Sequence, residues 1–164
     1  MGSARLKCFM KKSTLCFCVK ENSVLLGMKR RGFGVDKWNG YGGKVQENEE
    51  PRIAAARELK EESGIITEDK DLEQVAIVNF YFDKNPIFEC HVFLVHKWDN
   101  KPRETEEMQP RWYPISSLPF EKMWAADAKW LPIVLAGKKI KAEVNFNIDG
   151  SAVREFSYVE SEFK

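Results

Sequence analysis

Glu58, Glu61 and Glu62 stand close together in the stretch GGKVQENEEPRIAAARELKEESGI, at spacings that could build a site for a divalent cation. Residues three and four apart share one face of a helix, so these carboxylates meet on one side while Ile53, Ala56 and Leu59 occupy another, apolar side. Hard carboxylate oxygens suit Mg²⁺ or Mn²⁺. Arg57 precedes Glu61 by four residues, within reach of a charge-assisted hydrogen bond that orients a carboxylate and offsets like-charge repulsion. Gly42 and Gly43 allow close backbone approach ahead of the helix, so the carbonyl of Gly43 could face the ion as well. Two adjacent glutamates alone would read equally as a solvated helix laced with salt bridges. A phosphate-loop reading of GYGGK fails because no Ser or Thr follows Lys44, and an EF-hand reading fails because the Asp/Asn alternation is absent.

The longer spacing is more specific. Gly43, Glu49, Arg57, Glu58, Leu59, Glu61, Glu62, Gly64 and Ile65 follow the pattern G-x5-E-x7-R-E-U-x-E-E-x-G-U, with U a bulky aliphatic residue. The segment resembles a Nudix box. That resemblance implies an α/β/α sandwich with a mixed sheet and Mg²⁺-dependent cleavage of a diphosphate linked to another moiety. It further implies Glu58 and Glu62 as metal ligands with Glu61 close by, and one of these acids acting on water; Glu62 ranks first as base, although physical reasoning does not separate it from Glu58. Glu107 matches an acidic position outside the box that reaches the metal or water in relatives.

Upstream of and beyond the box, LLGMKRRGFGVDKWNGYGGKV, EMQPRWYPI and LPFEKMWAADAKWLP resemble oxidised-purine nucleoside triphosphate hydrolases, the MutT-homologue branch of the family. The resemblance implies hydrolysis of a nucleoside triphosphate of the 8-oxo-dGTP type to monophosphate and pyrophosphate, which cleanses the nucleotide pool. Carried over residue by residue, Thr14, Lys29, Phe33, Asn39, Phe80, Met108, Trp124, Asp127 and Trp130 would line or support the nucleotide pocket. Asn39 offers amide donor and acceptor atoms to a base edge, and Phe33 and Trp124 offer rings for stacking. One departure stands out. Relatives carry two adjacent acids, Trp-x-Asp-Asp, where this chain reads Trp124-Ala125-Ala126-Asp127. A lone acid lacks a neighbour with which to share a proton, so an ionised Asp127 should favour 8-oxoguanine over oxidised adenine.

These residues need a scaffold. Pro51 suits a first helical position, the alanines, leucine and glutamates that follow favour helix, and Gly64 is a natural stop. Thr14–Val19 and Val24–Met28 read as a hairpin, and Lys29–Gly42 as a glycine-rich loop leading to the box. Gln74–Phe82 and Ile87–His96 read as strands joined by a DKNP turn, and Arg111–Tyr113 as a short strand. The pattern Met123, Ala126, Trp130, Ile133, Val134 predicts a second amphipathic helix over Glu121–Ala136, perturbed by Pro132. Ala142–Ile148 and Ala152–Val159 flank Asp149-Gly150, a hairpin signal.

The 164 residues fit one domain, assigned to 10–164, with residues 1–9 an extension of uncertain status. A formal net charge of +1 gives no global electrostatic argument for nucleic acid or an anionic membrane. The expected partner is a small nucleotide bound by a monomer. Cys8, Cys16, Cys18 and Cys90 lack CxxC spacing and read as buried thiols of a reducing, cytoplasmic compartment. His91 and His96 are five residues apart in a strand, hence on opposite faces, which disfavours histidine triads and zinc. No apolar run approaches the ~20 residues that span a bilayer.

Overall fold

The computed structural model describes residues 10–163; Cys8 and the extension 1–9 lie outside them. Among the described residues the strands are β1 (Lys11–Lys20), β2 (Ser23–Lys29), β3 (Trp38–Asn39), β4 (Leu72–Phe82), β5 (Asn85–Val95), β6 (Met108–Pro114), β7 (Ile140–Phe146) and β8 (Val153–Glu160). They form one mixed eight-stranded sheet in the order β3-β2-β1-β5-β4-β7-β8, with β6 paired to β2. Helices α1 (Pro51–Ser63) and α2 (Asp127–Leu135) cover opposite faces, giving the expected α/β/α sandwich.

Strand alternation sorts the core into two layers. On the α1 side, Cys16, Cys18, Phe93 and Val95 pack with Ala55 and Leu59. On the α2 side, Phe17, Val78, Cys90, Val92 and Val144 pack with Trp130, Leu131 and Val134. β1 runs parallel to β5, from Lys11 opposite Phe88 to Cys18 opposite Val95, so both strands deliver their ends to the same edge of the cavity described below.

Helix α1 begins and ends where its caps dictate. Pro51 opens it, and Gly64 closes it at φ 78°, donating its N–H to the Lys60 carbonyl at 2.8 Å. Two turns also follow local chemistry. Asp83 and Lys84 both have positive φ, 49° and 68°, making a two-residue hairpin turn so that β5 already starts at Asn85. His91 is buried in β5 between Gln74 and Glu89, whereas His96 lies just past the strand, exposed and 3.4 Å from Glu73.

Four expectations shift. The second helix does not begin at Glu121: a 3-10 turn over Phe120–Lys122 gives way to extended backbone at Met123, and α2 starts at Asp127. Tertiary packing overrides the periodicity, since Met123 is buried in the core while Asp127 takes the Trp124 N–H at 3.2 Å and bends the chain. The glycine-rich loop is a closed hairpin, with β3 paired to β2 and Asp36 N–H bonded to the Lys29 carbonyl at 2.8 Å. β6 extends past Arg111–Tyr113 because it pairs along all of β2. The last hairpin has a six-residue turn, 147–152, rather than a tight Asp-Gly turn. There Asn147 and Asp149 side chains accept the N–H groups of Ala152 and Ser151 at 3.2 and 2.9 Å.

Candidate active site

A cavity of about 290 Å³ opens between the last turn of α1 and the loop before α2. Thr14, Lys29, Phe33, Asn39, Gly43, Glu62, Phe80, Met108, Trp124 and Asp127 all reach its wall. Most of the sequence motifs therefore converge; Arg57, Glu58, Glu61 and Glu107 stand outside the wall, and Trp130 is fully buried behind it, edge-on to Phe17 at 6.1 Å. Its place is to support the floor, because α2 turns its ring toward the sheet.

The polar end of the cavity is built on α1. Glu62 points inward and is 3% exposed, although it carries a carboxylate. Gly42 donates its N–H to Glu62 Oε1 at 2.9 Å, and Lys29 Nζ lies 4.0 Å from Oε2. Burial pushes the Glu62 carboxyl up to about 8, with Lys29 and the Gly42 N–H opposing and Glu58 and Glu107 adding to the rise. Glu58 is held by Arg57 at 2.9 Å, and Glu61, more exposed, by the same guanidinium at 3.4 Å. Glu107 pairs with Arg31 at 3.3 Å.

Arg57 has a stronger partner than Glu61. Glu49 accepts from Nε at 2.8 Å and from Nη2 at 3.0 Å, a bidentate pair that holds the Glu49 carboxyl below its ordinary range. The Gln46 N–H also bonds Glu49, at 2.9 Å. Glu49 thus ties the loop before α1 to the helix, a role the spacing pattern contained without revealing. Gly43 owes its identity to contact: a Cβ there would fall 2.6–2.7 Å from the carboxyl atoms of Glu58. Its carbonyl accepts the Thr14 N–H at 2.9 Å and, more weakly, the Thr14 hydroxyl at 3.5 Å.

Do these residues fit a divalent cation? Glu62 is a buried carboxylate with too little positive charge around it, and Glu58 and the Gly43 backbone lie alongside. A hard cation would satisfy that excess, and the donors are all oxygen. Among the described residues no three His, Cys, Asp or Glu side chains are already gathered for a metal. Arg57 and Arg31 instead hold Glu58, Glu61 and Glu107 in ion pairs around Glu62.

The other end is aromatic. Phe33 stacks on Trp124 with centroids 5.0 Å apart and planes 28° apart. Phe80 lies parallel to Phe146 at 6.0 Å, and Phe82 and Phe88 complete the wall. Phe82, Phe88, Cys90 and Phe146 were not anticipated as lining residues. The available signal was strand alternation, which puts Phe82 on the face of Phe80 and Cys90 on that of Phe88. Asn39 turns Oδ1 to the Gly40 N–H at 2.8 Å, leaving its amide donors for a ligand. Asp127, 4% exposed, accepts one N–H from Trp124. Burial raises its carboxyl to about 7, against the Trp124 N–H, the nearby Trp130 indole and the charge of Lys37.

Comparison with known proteins gives the family. The NUDIX domain model matches residues 10–133. An oxidized purine nucleoside triphosphate hydrolase of Danio rerio is 41% identical over 81% of this chain and 85% of its own length. The Mus musculus protein of the same description is 40% identical over the same shares. Among solved structures, a mutator MutT protein from Bacillus halodurans superimposes with TM-score 0.75 at 22% identity, covering 91% of this chain and 97% of that one. A MutT NUDIX hydrolase from Burkholderia pseudomallei gives TM-score 0.60 at 24% identity, covering 66% and 86%. At those identities the structural matches speak to the fold, while the family model and the two relatives speak to descent: this chain belongs to the NUDIX family.

Proposed function

We propose that this protein hydrolyses oxidised purine nucleoside triphosphates of the 8-oxo-dGTP type to the monophosphate and pyrophosphate, with Mg²⁺ as cofactor and Mn²⁺ as a substitute. The observation that carries the reading is that one cavity joins Glu62 to Asn39, Trp124 and Asp127, so carboxylates suited to phosphoanhydride chemistry share a wall with groups suited to a purine. The kinship with the two oxidized purine nucleoside triphosphate hydrolases supports the same substrate class. In this reading the chain works as a monomeric cytoplasmic domain spanning 10–164.

Glu58 and Glu62, with the Gly43 carbonyl, would hold Mg²⁺, and Glu61 and Glu107 would approach it once released from their arginines. The bound ion supplies charge neutralisation at the phosphates and acidifies water. Glu62, buried at the polar end of the cavity beside Lys29, would take the proton from the attacking water. Lys29 stands where it can meet phosphate charge at the same end. Arg57 keeps Glu58 oriented through its anchor on Glu49. The purine is stacked against Trp124 and read by Asn39 and Asp127.

Asp127 makes the expected preference for 8-oxoguanine dependent on its protonation. An ionised carboxylate accepts from the N1–H and amino group of a guanine edge, and a protonated one donates to the N1 acceptor of an adenine edge. Burial pushes the Asp127 carboxyl up to about 7, so pH should set the balance between the two forms even without an acid at Ala126. Preference for 8-oxo-dGTP over 2-hydroxy-dATP should therefore grow as pH rises. Initial rates for both nucleotides and dGTP with Mg²⁺, with products resolved by chromatography, test the proposal. Release of inorganic phosphate instead of pyrophosphate, or a preference for normal dGTP, contradicts it.

A further inference from the structure

A second groove, of about 590 Å³, lies where the end of β1, the segment 98–102 and the second half of β6 meet. The catalytic cavity takes Met108, from the start of β6, whereas this groove takes Pro110, Arg111 and Trp112. Trp98 packs against the apolar layer around Leu59 and Phe93. Trp112 stacks on Trp98, with centroids 5.9 Å apart and planes 24° apart, and is itself 37% exposed. A two-ring stack thus grows outward from the core and stops at solvent with an unfinished outer ring.

Cations surround that ring. Lys20, Lys101 and Arg111 line the groove, against one acid, Glu21. None of the three forms an ion pair among the described residues, so their charge is not already neutralised within the chain. Arg111 is steadied at the rim by the face of Tyr113, its guanidinium carbon 5.1 Å from the ring centre. The chain's net charge of +1 gives no general attraction for polyanions, so this excess is local.

We infer that this groove binds single-stranded nucleic acid, a base extending the Trp98–Trp112 stack and the phosphates following Lys20, Lys101 and Arg111. The two indoles close on each other and leave no slot between them for a proline-rich strand, which favours a planar ligand added to the outside. The groove has about twice the volume of the catalytic cavity, room for more than one nucleotide unit. Ser23 and Asn100 are the uncharged polar side chains of the lining, and Asn100 already donates its amide to the Gly64 carbonyl at 3.2 Å, so binding should depend weakly on sequence.

The test is fluorescence anisotropy of a labelled deoxythymidine dodecamer titrated with the full chain at low salt. Three phosphate contacts predict a log–log salt slope of roughly −2 for a single strand. The paired exposed changes Lys20→Glu and Lys101→Glu should weaken binding about tenfold or more, and Trp112→Ala about fivefold or more, with nucleotide hydrolysis unchanged in the lysine variant. Reversal of two exposed lysines elsewhere, Lys129→Glu and Lys141→Glu, should leave dodecamer affinity within about twofold. The inference is overturned if the dodecamer does not bind, if the Lys20 and Lys101 variant binds like the parent, or if a substrate triphosphate displaces the dodecamer. Capture of a proline-rich peptide that depends on Trp112, without dodecamer binding, overturns it as well.

Discussion

The two ends of the catalytic cavity are built in opposite ways. At the phosphate end, Arg57, Glu58, Glu61 and Glu62 come from a single helix and are locked by charge-assisted hydrogen bonds to one another, to Glu49 and to the Gly42 backbone. At the base end, Phe33, Asn39, Phe80, Cys90, Trp124 and Phe146 come from five separated stretches of chain and meet chiefly through apolar packing. The first arrangement fixes charge where bonds break. The second leaves a soft wall that can be retuned by single residues, as Ala126 beside Asp127 illustrates. Chemistry should accordingly be intolerant of change, and selectivity adjustable.

The largest expected effect breaks the phosphate end alone. Glu62→Gln and Glu58→Gln preserve shape and remove charge, so kcat/KM should fall on the order of 10²-fold or more while the ratio between 8-oxo-dGTP and dGTP stays constant. A changed ratio would show that the two ends are not separable. Next comes Gly43→Ala, whose Cβ would meet the Glu58 carboxyl at 2.6–2.7 Å. Displacement of that carboxylate should cost about tenfold or more in apparent Mg²⁺ affinity, read directly by calorimetry. Unchanged affinity would remove Gly43 from the metal site.

At the base end, Trp124→Ala and Asn39→Ala should act mainly on KM and on selectivity, each by roughly tenfold, with kcat for a saturating substrate much less affected. Parent-like ratios across oxidised and normal nucleotides would mean the pocket is placed wrongly. The smallest effect concerns Asp127. Between about pH 6 and pH 8 the ratio of 8-oxo-dGTP to 2-hydroxy-dATP turnover should rise several-fold, and Asp127→Asn should flatten that profile. The same raised carboxyl has a stability consequence. Because the folded state binds its proton more tightly than the unfolded chain, its contribution is present below about pH 4 and is lost as pH climbs through about 7. In a metal-free protein, thermal melts should show a decline over that window that Asp127→Asn lessens.

The contrast also explains what the sequence disclosed. The box was legible because helix spacing is local: residues three and four apart must be neighbours on α1, so the carboxylate cluster and its Gly64 stop could be read directly. Even there, the Arg57–Glu49 pair was hidden, since it crosses from the helix to the loop before it. The base wall required knowing which strands adjoin. Phe88 and Cys90 face the cavity only because β5 lies between β1 and β4, and Phe146 only because β7 adds parallel to β4. Likewise the apparent periodicity of Met123 and Ala126 ran ahead of the true start of α2, because burial of Met123 and the Asp127–Trp124 bond decide that backbone locally.

The central claim, that carboxylates on α1 and a purine pocket around Trp124 serve one reaction, is tested most directly by kcat/KM for 8-oxo-dGTP, 2-hydroxy-dATP and dGTP in parallel. The set comprises the parent, Glu62→Gln and Trp124→Ala with Mg²⁺. The account predicts that both oxidised nucleotides exceed dGTP in the parent and yield pyrophosphate, that Glu62→Gln lowers all three values by a common factor, and that Trp124→Ala compresses the differences between them. A parent that turns over dGTP as well as the oxidised nucleotides, or a Glu62→Gln protein with near-parent rates, would contradict it.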